Sequence, residues 1–565
     1  MLITKWGKAL DKNHPLCEYP RPQFVRDSYI SLNGMWKCAF YNKPDCEDEK
    51  FRYDICVPFS PEAYLSGVHR TLEPGEYLIY KRNFVIPKGF NKGRVFINFG
   101  AVDQIATVFI NDNNVGTHKG GYTSFKFEIT DYVTDGENEI KVSCLDFSDV
   151  NAFSRGKQKT KRGGIWYTCQ SGIWQSVWLE STPKKYLEKV KITPNYDESS
   201  VSFKYFGCDD VEVSIYDGDS LIAKTKDTTV SIPDFKSWSP ESPFLYDVVF
   251  SACGEEIKSY FGMRKFSVGN DGKGVKRLFL NNKPYFHNGV LDQGYYPDGL
   301  LTPPANDAMK FDVKYVKSAG FNMIRKHIKV LWYHYCDVNG IIVWQDMING
   351  GGKYGLEISV IPFLNITLND NNYSTFKRTD KEGRLLYYQE LEEIVDSLYN
   401  CPCIALWTLF NEGWGQFDSA KAYDLIKSLD DTRIVDSSSG WHDMGKSDVI
   451  SKHIYFTPIK VKSGDKPYVL SEFGGLGFKI KGHTFNDKMF GYKVFFSFNS
   501  LTKAYKRLFE KTIIPQIKDG LSATVYTQIT DVEDELNGLL TYDREIQKVD
   551  FDTLKKINER VKLND

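Results

Sequence analysis

Residues 406–416 read Leu406-Trp407-Thr408-Leu409-Phe410-Asn411-Glu412-Gly413-Trp414-Gly415-Gln416, an apolar, strand-like run that ends abruptly in an Asn-Glu pair beside Gly and Trp. A second run, Tyr468-Val469-Leu470-Ser471-Glu472-Phe473-Gly474-Gly475, also ends in a carboxylate at a Gly-rich turn. Strands that carry carboxylates at their C-terminal ends are how a (β/α)8 barrel brings such groups to one mouth.

The flanking sequence alternates as that fold requires. Asn306 or Asp307 can cap a helix whose Met309, Val313 and Val316 share a face, and Gly320 stops it before Phe321-Asn322-Met323-Ile324-Arg325. Tyr387, Leu391, Ile394 and Leu398 form a second apolar stripe ahead of Cys403-Ile404-Ala405-Leu406. Ala422, Leu425, Ile426 and Leu429 form a third ahead of Arg433-Ile434-Val435. The pattern predicts eight strands, near 285–290, 321–325, 341–344, 404–410, 433–436, 449–453, 468–472 and 523–528. Strands separated by helices make a TIM barrel over residues 269–565 the economical assembly.

Upstream the period changes to that of sheets. Arg94-Val95-Phe96-Ile97-Asn98-Phe99 and Ile105-Ala106-Thr107-Val108-Phe109-Ile110 lead into the turn cluster Asn111-Asp112-Asn113-Asn114, which predicts an all-β sandwich over residues 1–183. Val211-Glu212-Val213-Ser214-Ile215-Tyr216 and Leu245-Tyr246-Asp247-Val248-Val249-Phe250 predict a small Ig-like sandwich over 184–268. A chain of 565 residues is too long for one core, in keeping with three domains.

Lys plus Arg (72) balance Asp plus Glu (73), so nothing steers the chain to nucleic acid or an anionic membrane, and a neutral partner is expected. No secretory leader is read in the first residues, and no apolar run is long enough to span a bilayer. The 11 Cys are odd in number and irregularly spaced, which predicts buried thiols and a cytoplasmic location. Cys401-Pro402-Cys403 reads as packing at the entrance to a strand.

Cleavage of an acetal needs a proton on the leaving oxygen and stabilisation of an oxocarbenium-like carbon, and two carboxylates supply both. Glu412 after the fourth strand and Glu472 after the seventh are the candidates. Other polar side chains at strand ends are Asp292 and Gln293 after the first, Arg325 at the second, Trp441 after the fifth, His453 and Tyr455 at the sixth, and Gln528 at the eighth, with Asp531 and Glu533 beyond. Trp441 offers a ring face for a sugar. The basic segment 155–162 reads as a solvated loop.

Asn411-Glu412-Gly413-Trp414-Gly415 and Ser471-Glu472-Phe473-Gly474-Gly475 resemble glycoside hydrolase family 2, which includes β-galactosidases, β-glucuronidases and β-mannosidases. The likeness extends over nearly the whole chain. Tyr19-Pro20-Arg21-Pro22 and Leu32-Asn33-Gly34-Met35-Trp36 resemble the opening of its sugar-binding jelly roll, and Ser171-Gly172-Ile173-Trp174 resembles that domain's closing strand. Trp238-Ser239-Pro240 resembles a corner of its Ig-like domain. The resemblance implies Glu412 as general acid/base, Glu472 as nucleophile, Asn411 on the sugar 2-hydroxyl, and Arg325 holding Glu472 ionised. His453 and Tyr455 would meet sugar hydroxyls or the nucleophile, and, as a jelly-roll loop of the family can reach the barrel mouth, reach to the mouth is the alternative the resemblance implies for segment 155–162.

The chain departs from the family at three places. Arg325-Lys326-His327-Ile328-Lys329-Val330 replaces Arg-x-Ser-His-Tyr-Pro, which displaces His327 by one register. Asn537-Gly538-Leu539 lacks the Lys with which β-glucuronidases receive a sugar carboxylate, which disfavours a glucuronide. Trp344-Gln345-Asp346-Met347 lacks the Glu-x-His that supplies magnesium ligands in large β-galactosidases, so no metal and no cofactor is implied. The expectation is a retaining exo-β-glycosidase acting on carbohydrate, with β-galactosidase-like activity favoured over arabinosidase, β-mannosidase or β-glucosidase activity. A non-catalytic carbohydrate-binding protein is the alternative of another class. Homo-oligomerisation is left open.

Overall fold

A computed structural model describes residues 2–43, 50–328, 332–355, 358, 362, 366–456, 458–462 and 464–563. Lys329 and Val330 of the departing segment lie outside them.

The first sandwich stacks two antiparallel sheets. One runs in the order Tyr53–Val57, Gly34–Tyr41, Tyr77–Ile86, Gly136–Leu145, Ile105–Ile110, Asn113–Lys119, and the other in the order Tyr29–Ser31, Val177–Thr182, Arg94–Phe99, Phe125–Glu128. Burial alternates residue by residue along Ile105–Ile110 and Gly136–Leu145, the two-residue period of strands with one face on a core. Trp36, Tyr80, Val95, Ile97, Phe99, Val108 and Val142 fill the space between the sheets.

The second sandwich sets Lys189–Asn195, Ser200–Phe206 and Thr229–Ser231 against Ser220–Thr225, Val211–Asp217, Tyr246–Ala252 and Glu255–Phe261. Its core includes Ile192, Phe203, Val213, Ile215, Val248 and Phe250. Seven strands in two antiparallel sheets are the Ig-like arrangement.

The eight-stranded sheet that follows consists of β1 (His287–Asp292), β2 (Met323–Lys326), β3 (Ile342–Asp346), β4 (Ile404–Thr408), β5 (Ile434–Asp436), β6 (Ile450–Ile454), β7 (Tyr468–Gly474) and β8 (Leu521–Thr527). All paired neighbours are parallel, in the order β5-β4-β3-β2-β1-β8-β7-β6. This is a TIM barrel whose ladder closes everywhere except between β5 and β6. Helices α1 (Asn306–Ser318), α2 (Tyr333–Asn339), α3 (Lys381–Leu398) and α4 (Ser419–Leu429) follow the first four strands, α5 (Phe498–Leu508) follows β7 and α6 (Phe551–Asn558) follows β8.

Each predicted strand is present. Two local expectations change. Ala305, with no side-chain cap, occupies the position before α1, and Asn306 is the first helical residue. Among the described residues no helix separates β5 from β6 or β6 from β7. The segment after β5 explains the first gap: Ser437-Ser438-Ser439-Gly440-Trp441-His442 has no apolar helical period, and Gly440 and Gly445 sit at positive φ. Cys401 and Cys403 are buried as packing residues, whereas Cys17 is exposed.

Beyond Thr408, β4 continues as an irregular edge beside the end of β5. Glu412 N donates to Ser439 O (2.9 Å) and Ser439 N to Phe410 O (2.8 Å), which carries the Asn411-Glu412 pair to the barrel mouth. The turn there is tight: φ is +52° at Glu412, +70° at Gly413 and +63° at Gly415. A Cβ on Gly415 would lie 1.9 Å from Gly350 O, whereas one on the exposed Gly445 (φ +84°) would meet nothing within 4 Å. Gly415→Ala should therefore cost about 1–3 kcal/mol of backbone strain plus a further ~1–3 kcal/mol of overpacking. Gly445→Ala should show the strain alone. Urea unfolding of the two variants checks this, and equal losses would contradict it.

Candidate active site

Arg325 organises the mouth. It stands at the end of β2, fully buried, and its guanidinium engages five groups. Nε and Nη2 donate to the two oxygens of Asp346 on β3 (3.1 and 2.9 Å), Nη2 also to Asn411 Oδ1 (2.8 Å), and Nη1 to Ser471 O (3.0 Å) and Glu472 Oε1 (3.1 Å). A planar, permanently charged fork suits this; a lysine cannot reproduce it. Because guanidinium only donates, Asn411 must turn its oxygen toward Arg325, which leaves its NH2 free to donate into the mouth.

Glu472 receives the complementary contacts. Its Oε2 accepts from the Tyr455 hydroxyl at 2.6 Å. Burial alone would raise this carboxyl; His453 and Arg325, with His327 and Lys157 behind them, more than offset it and bring it down to about 2. Tyr455 itself is pushed well up, by burial and by the Glu472 charge, so its hydroxyl stays a donor.

His453 links the two glutamates. Its Nδ1 lies 2.9 Å from Glu412 Oε1, while Nε2 faces Arg325 Nη1 (3.3 Å) and Ser439 Oγ (3.0 Å). Glu412 Oε1 as a carboxylate only accepts, so the Nδ1 of His453 carries a proton and gives it to Glu412. Donor atoms of Glu412, His453 and Glu472 lie within 4.8 Å of one another. A three-ligand set of this kind has the chemistry for a cation, but Arg325 already stands 3.1 Å from Glu472 Oε1 and opposes a second positive charge.

The other sequence candidates separate into two groups. Trp441 stands beside the dyad, its ring 6.3 Å from that of His453. Asp292 and Gln528 have partners of their own. Asp292 is ion-paired to the buried Lys326 and accepts from Gly294 N (2.7 Å). Gln528 donates to Asn537 Oδ1 (2.8 Å), in the segment where a glucuronidase-type lysine is missing. Asp531 is tied to Lys548 and Gly538 N, and Glu533 to Arg162 and Thr168 N.

Two neighbours escaped the sequence reading. Asp346, held below the ordinary carboxylate range because Arg325 and His327 outweigh its burial, ends an apolar strand just as Glu412 and Glu472 follow theirs, so the same criterion would have found it. Tyr492 stacks on Tyr455 at 3.7 Å and 6° between planes. It comes from the long excursion after β7, and no periodicity marks it.

Replacing Arg325 by Met would leave Asp346 and Glu472 buried without their cation, a loss of about 3–5 kcal/mol of the kind seen when one partner of a buried pair is removed. The pH dependence has a definite sign. A carboxyl more acidic folded (about 2) than ordinary (4.5) contributes stability above pH 4.5, and that contribution disappears as pH falls toward 2. In Arg325→Met the acid limb of kcat/KM should move up in pH; an unmoved limb would remove Arg325 from the control of Glu472.

Comparison with known proteins agrees with this architecture. The profile "Glycosyl hydrolases family 2, sugar binding domain" matches residues 29–183, "Glycosyl hydrolases family 2" matches 185–264, and "Glycosyl hydrolases family 2, TIM barrel domain" matches 274–474. A β-galactosidase of Priestia megaterium is 25% identical over 518 residues, covering 80% of this chain and 45% of the relative. A β-glucuronidase of Bacteroides fragilis is 27% identical over 487 residues, covering 79% and 65%. The chain thus spans under half the length of the β-galactosidase it matches.

Among solved structures, a β-glucuronidase of an uncultured Clostridium superposes with a TM-score of 0.73 at 18% identity, over 94% of this chain and 97% of that one. A β-galacturonidase of Eisenbergiella tayi gives 0.69 at 19%, over 96% and 98%. At such identities the superpositions carry the fold. Three successive domain profiles of one family, in its order and over most of the sequence, place this chain in glycoside hydrolase family 2.

Proposed function

We propose that this protein is a retaining exo-β-glycosidase in which Glu412 is the general acid/base and Glu472 the nucleophile. The observation that carries the reading is the approach of the two carboxylates, oxygen to oxygen within 4.8 Å. Retaining enzymes hold their pair roughly 5–5.5 Å apart, whereas inverting ones need roughly 6.5–9.5 Å to admit a water. The surroundings support the division of roles. Glu472, kept anionic, attacks the anomeric carbon as Glu412 protonates the departing oxygen; Glu412 then takes a proton from the water that releases the sugar. Asn411, oriented by Arg325, presents an N–H to the 2-hydroxyl, a contact that strengthens as charge develops on the ring.

A β-galactoside or related neutral glycoside is the favoured substrate. Support comes from the β-galactosidase relatives and from the eighth-strand side, where Gln528 and Asn537 bond to each other in place of a cation. The test is hydrolysis of aryl β-D-galactoside, glucoside, mannoside, glucuronide and α-L-arabinoside, with the first-formed anomer followed by proton NMR. Retention is expected. Inversion would refute the double displacement, and sugar binding without hydrolysis of any member would favour a non-catalytic carbohydrate-binding protein.

A further inference from the structure

The Ig-like sandwich turns one of its hairpins on a cysteine. Strands Tyr246–Ala252 and Glu255–Phe261 pair antiparallel with Ala252 opposite Glu255, so Cys253-Gly254 is the whole of the loop. Both residues lie at positive φ, +53° and +82°. Two left-handed residues make the tight turn that suits the twist of a hairpin, and its first position favours Asn, Asp or Gly because other side chains are strained there. Asn and Asp offset that strain with a hydrogen bond to their own backbone. A cysteine has no such group, so its place at the turn calls for another cause.

That cause lies beside the turn. Cys208 stands in the link between Ser200–Phe206 and Val211–Asp217, 2% exposed, and its Sγ is in direct contact with that of Cys253 at 2.6 Å. The register brings them together: Val211 is paired with Ala252, so the link carrying Cys208 enters the sheet next to the hairpin tip. A thiol is a weak donor and a weak acceptor, and a hydrogen bond between two of them is little reason to hold a strained residue in place.

The tip is reachable. Cys253 is half-buried, Gly254 is exposed, and a Cβ added to Gly254 would meet nothing within 4 Å. Burial, followed by the neighbouring Cys208, pushes the Cys253 thiol up to about 11. Little thiolate is present at neutral pH, so exchange there is slow, which suits a lasting link rather than a rapid sensor.

We propose that Cys208 and Cys253 are a modification site, at which the Ig-like domain takes a reversible disulfide that holds its strands together. The oxidant is a small-molecule or protein disulfide. The Cys253 thiolate attacks one of its sulfurs, and the other leaves as a thiolate; the Cys208 thiolate then attacks Cys253 Sγ and expels the second half. Two protein thiols become one disulfide, the oxidant's disulfide becomes two thiols, and the two protons pass to the departing sulfurs. The new bond closes a loop containing Val211–Asp217, Ser220–Thr225, Thr229–Ser231 and Tyr246–Ala252, four strands of the sandwich. Such a crosslink acts mainly by restricting the opened chain. In a reducing compartment the pair rests as thiols, and in an oxidising one it closes.

The experiment equilibrates the full chain in glutathione buffers, from fully reduced to excess glutathione disulfide, then denatures it, alkylates the remaining thiols and digests it with trypsin. The expected result is a crosslink joining the peptides of Cys208 and Cys253, present after oxidation and gone after reduction. Cys208→Ser should give no crosslink, and neither should Cys253→Asn, which keeps a residue suited to the turn. Amide hydrogen exchange within 211–252 should slow about 10-fold or more on oxidation of the wild-type protein and stay unchanged in both variants. Both thiols remaining open to alkylation in excess glutathione disulfide would overturn the assignment. So would pairing of either with another cysteine, a glutathione adduct on Cys253 that never resolves, or a crosslink that leaves exchange within 211–252 as it was.

Discussion

Glu472→Gln should lower kcat on the order of 10⁴-fold or more on every substrate, because no other group can form the covalent glycosyl bond. The neutral amide keeps the side-chain volume, so folding should be spared, and sugar binding measured by calorimetry should persist. A second form of the experiment separates chemistry from folding. Glu472→Gly opens space for azide, and a single displacement by azide on a β-glycoside gives the α-glycosyl azide. Recovery of that product identifies the position as the nucleophile. Substantial hydrolysis by Glu472→Gln would end the assignment.

Glu412→Gln should divide substrates by leaving group. Loss of general acid catalysis is typically worth about 10²–10⁴-fold, which should appear in full with alkyl or saccharide leaving groups. A dinitrophenyl glycoside, whose oxygen departs without a proton, should form the glycosyl intermediate nearly as fast as with the wild-type protein and then accumulate it, visible as a burst. Equal loss on both kinds of substrate would sink the role. Glu412 sits at φ +52°, a backbone region uncommon outside glycine, and the turn that imposes it is fixed by Gly413, Gly415 and the Ser439 bridge. Such outliers gather where surrounding structure holds a functional side chain in place.

Much of this was readable in the chain itself. Apolar runs ending at Glu412, Glu472 and Arg325 announced buried strands with charged ends, and the helical stripes at Tyr387–Leu398 and Ala422–Leu429 set the alternation of a barrel. These signals are local, and burial on a regular element writes them into sequence as a period. The segments joining β5 to β6 and β6 to β7 were less legible. They lack helical periodicity, and their course depends on what packs over them.

Tyr492 and Lys157 show the limit most clearly. Each reaches the mouth from a stretch without strand or helix period: nothing in the excursion after β7 marks Tyr492, and the basic run around Lys157, in a loop of a different domain, reads first as solvated surface. Asp292 and Gln528 show the converse, since strand-end position alone did not reveal that Lys326 and Asn537 take up their polar atoms. By itself the sequence determined the three-domain order, the barrel and the two carboxylates, because hydrophobic period and strand-end chemistry are properties of consecutive residues. Only the tertiary structure decided that Arg325 ties Asp346, Asn411 and Glu472 together, that His453 bridges the glutamates, and that Lys157 closes one corner, because each depends on side chains far apart in the chain meeting within hydrogen-bond or ion-pair reach.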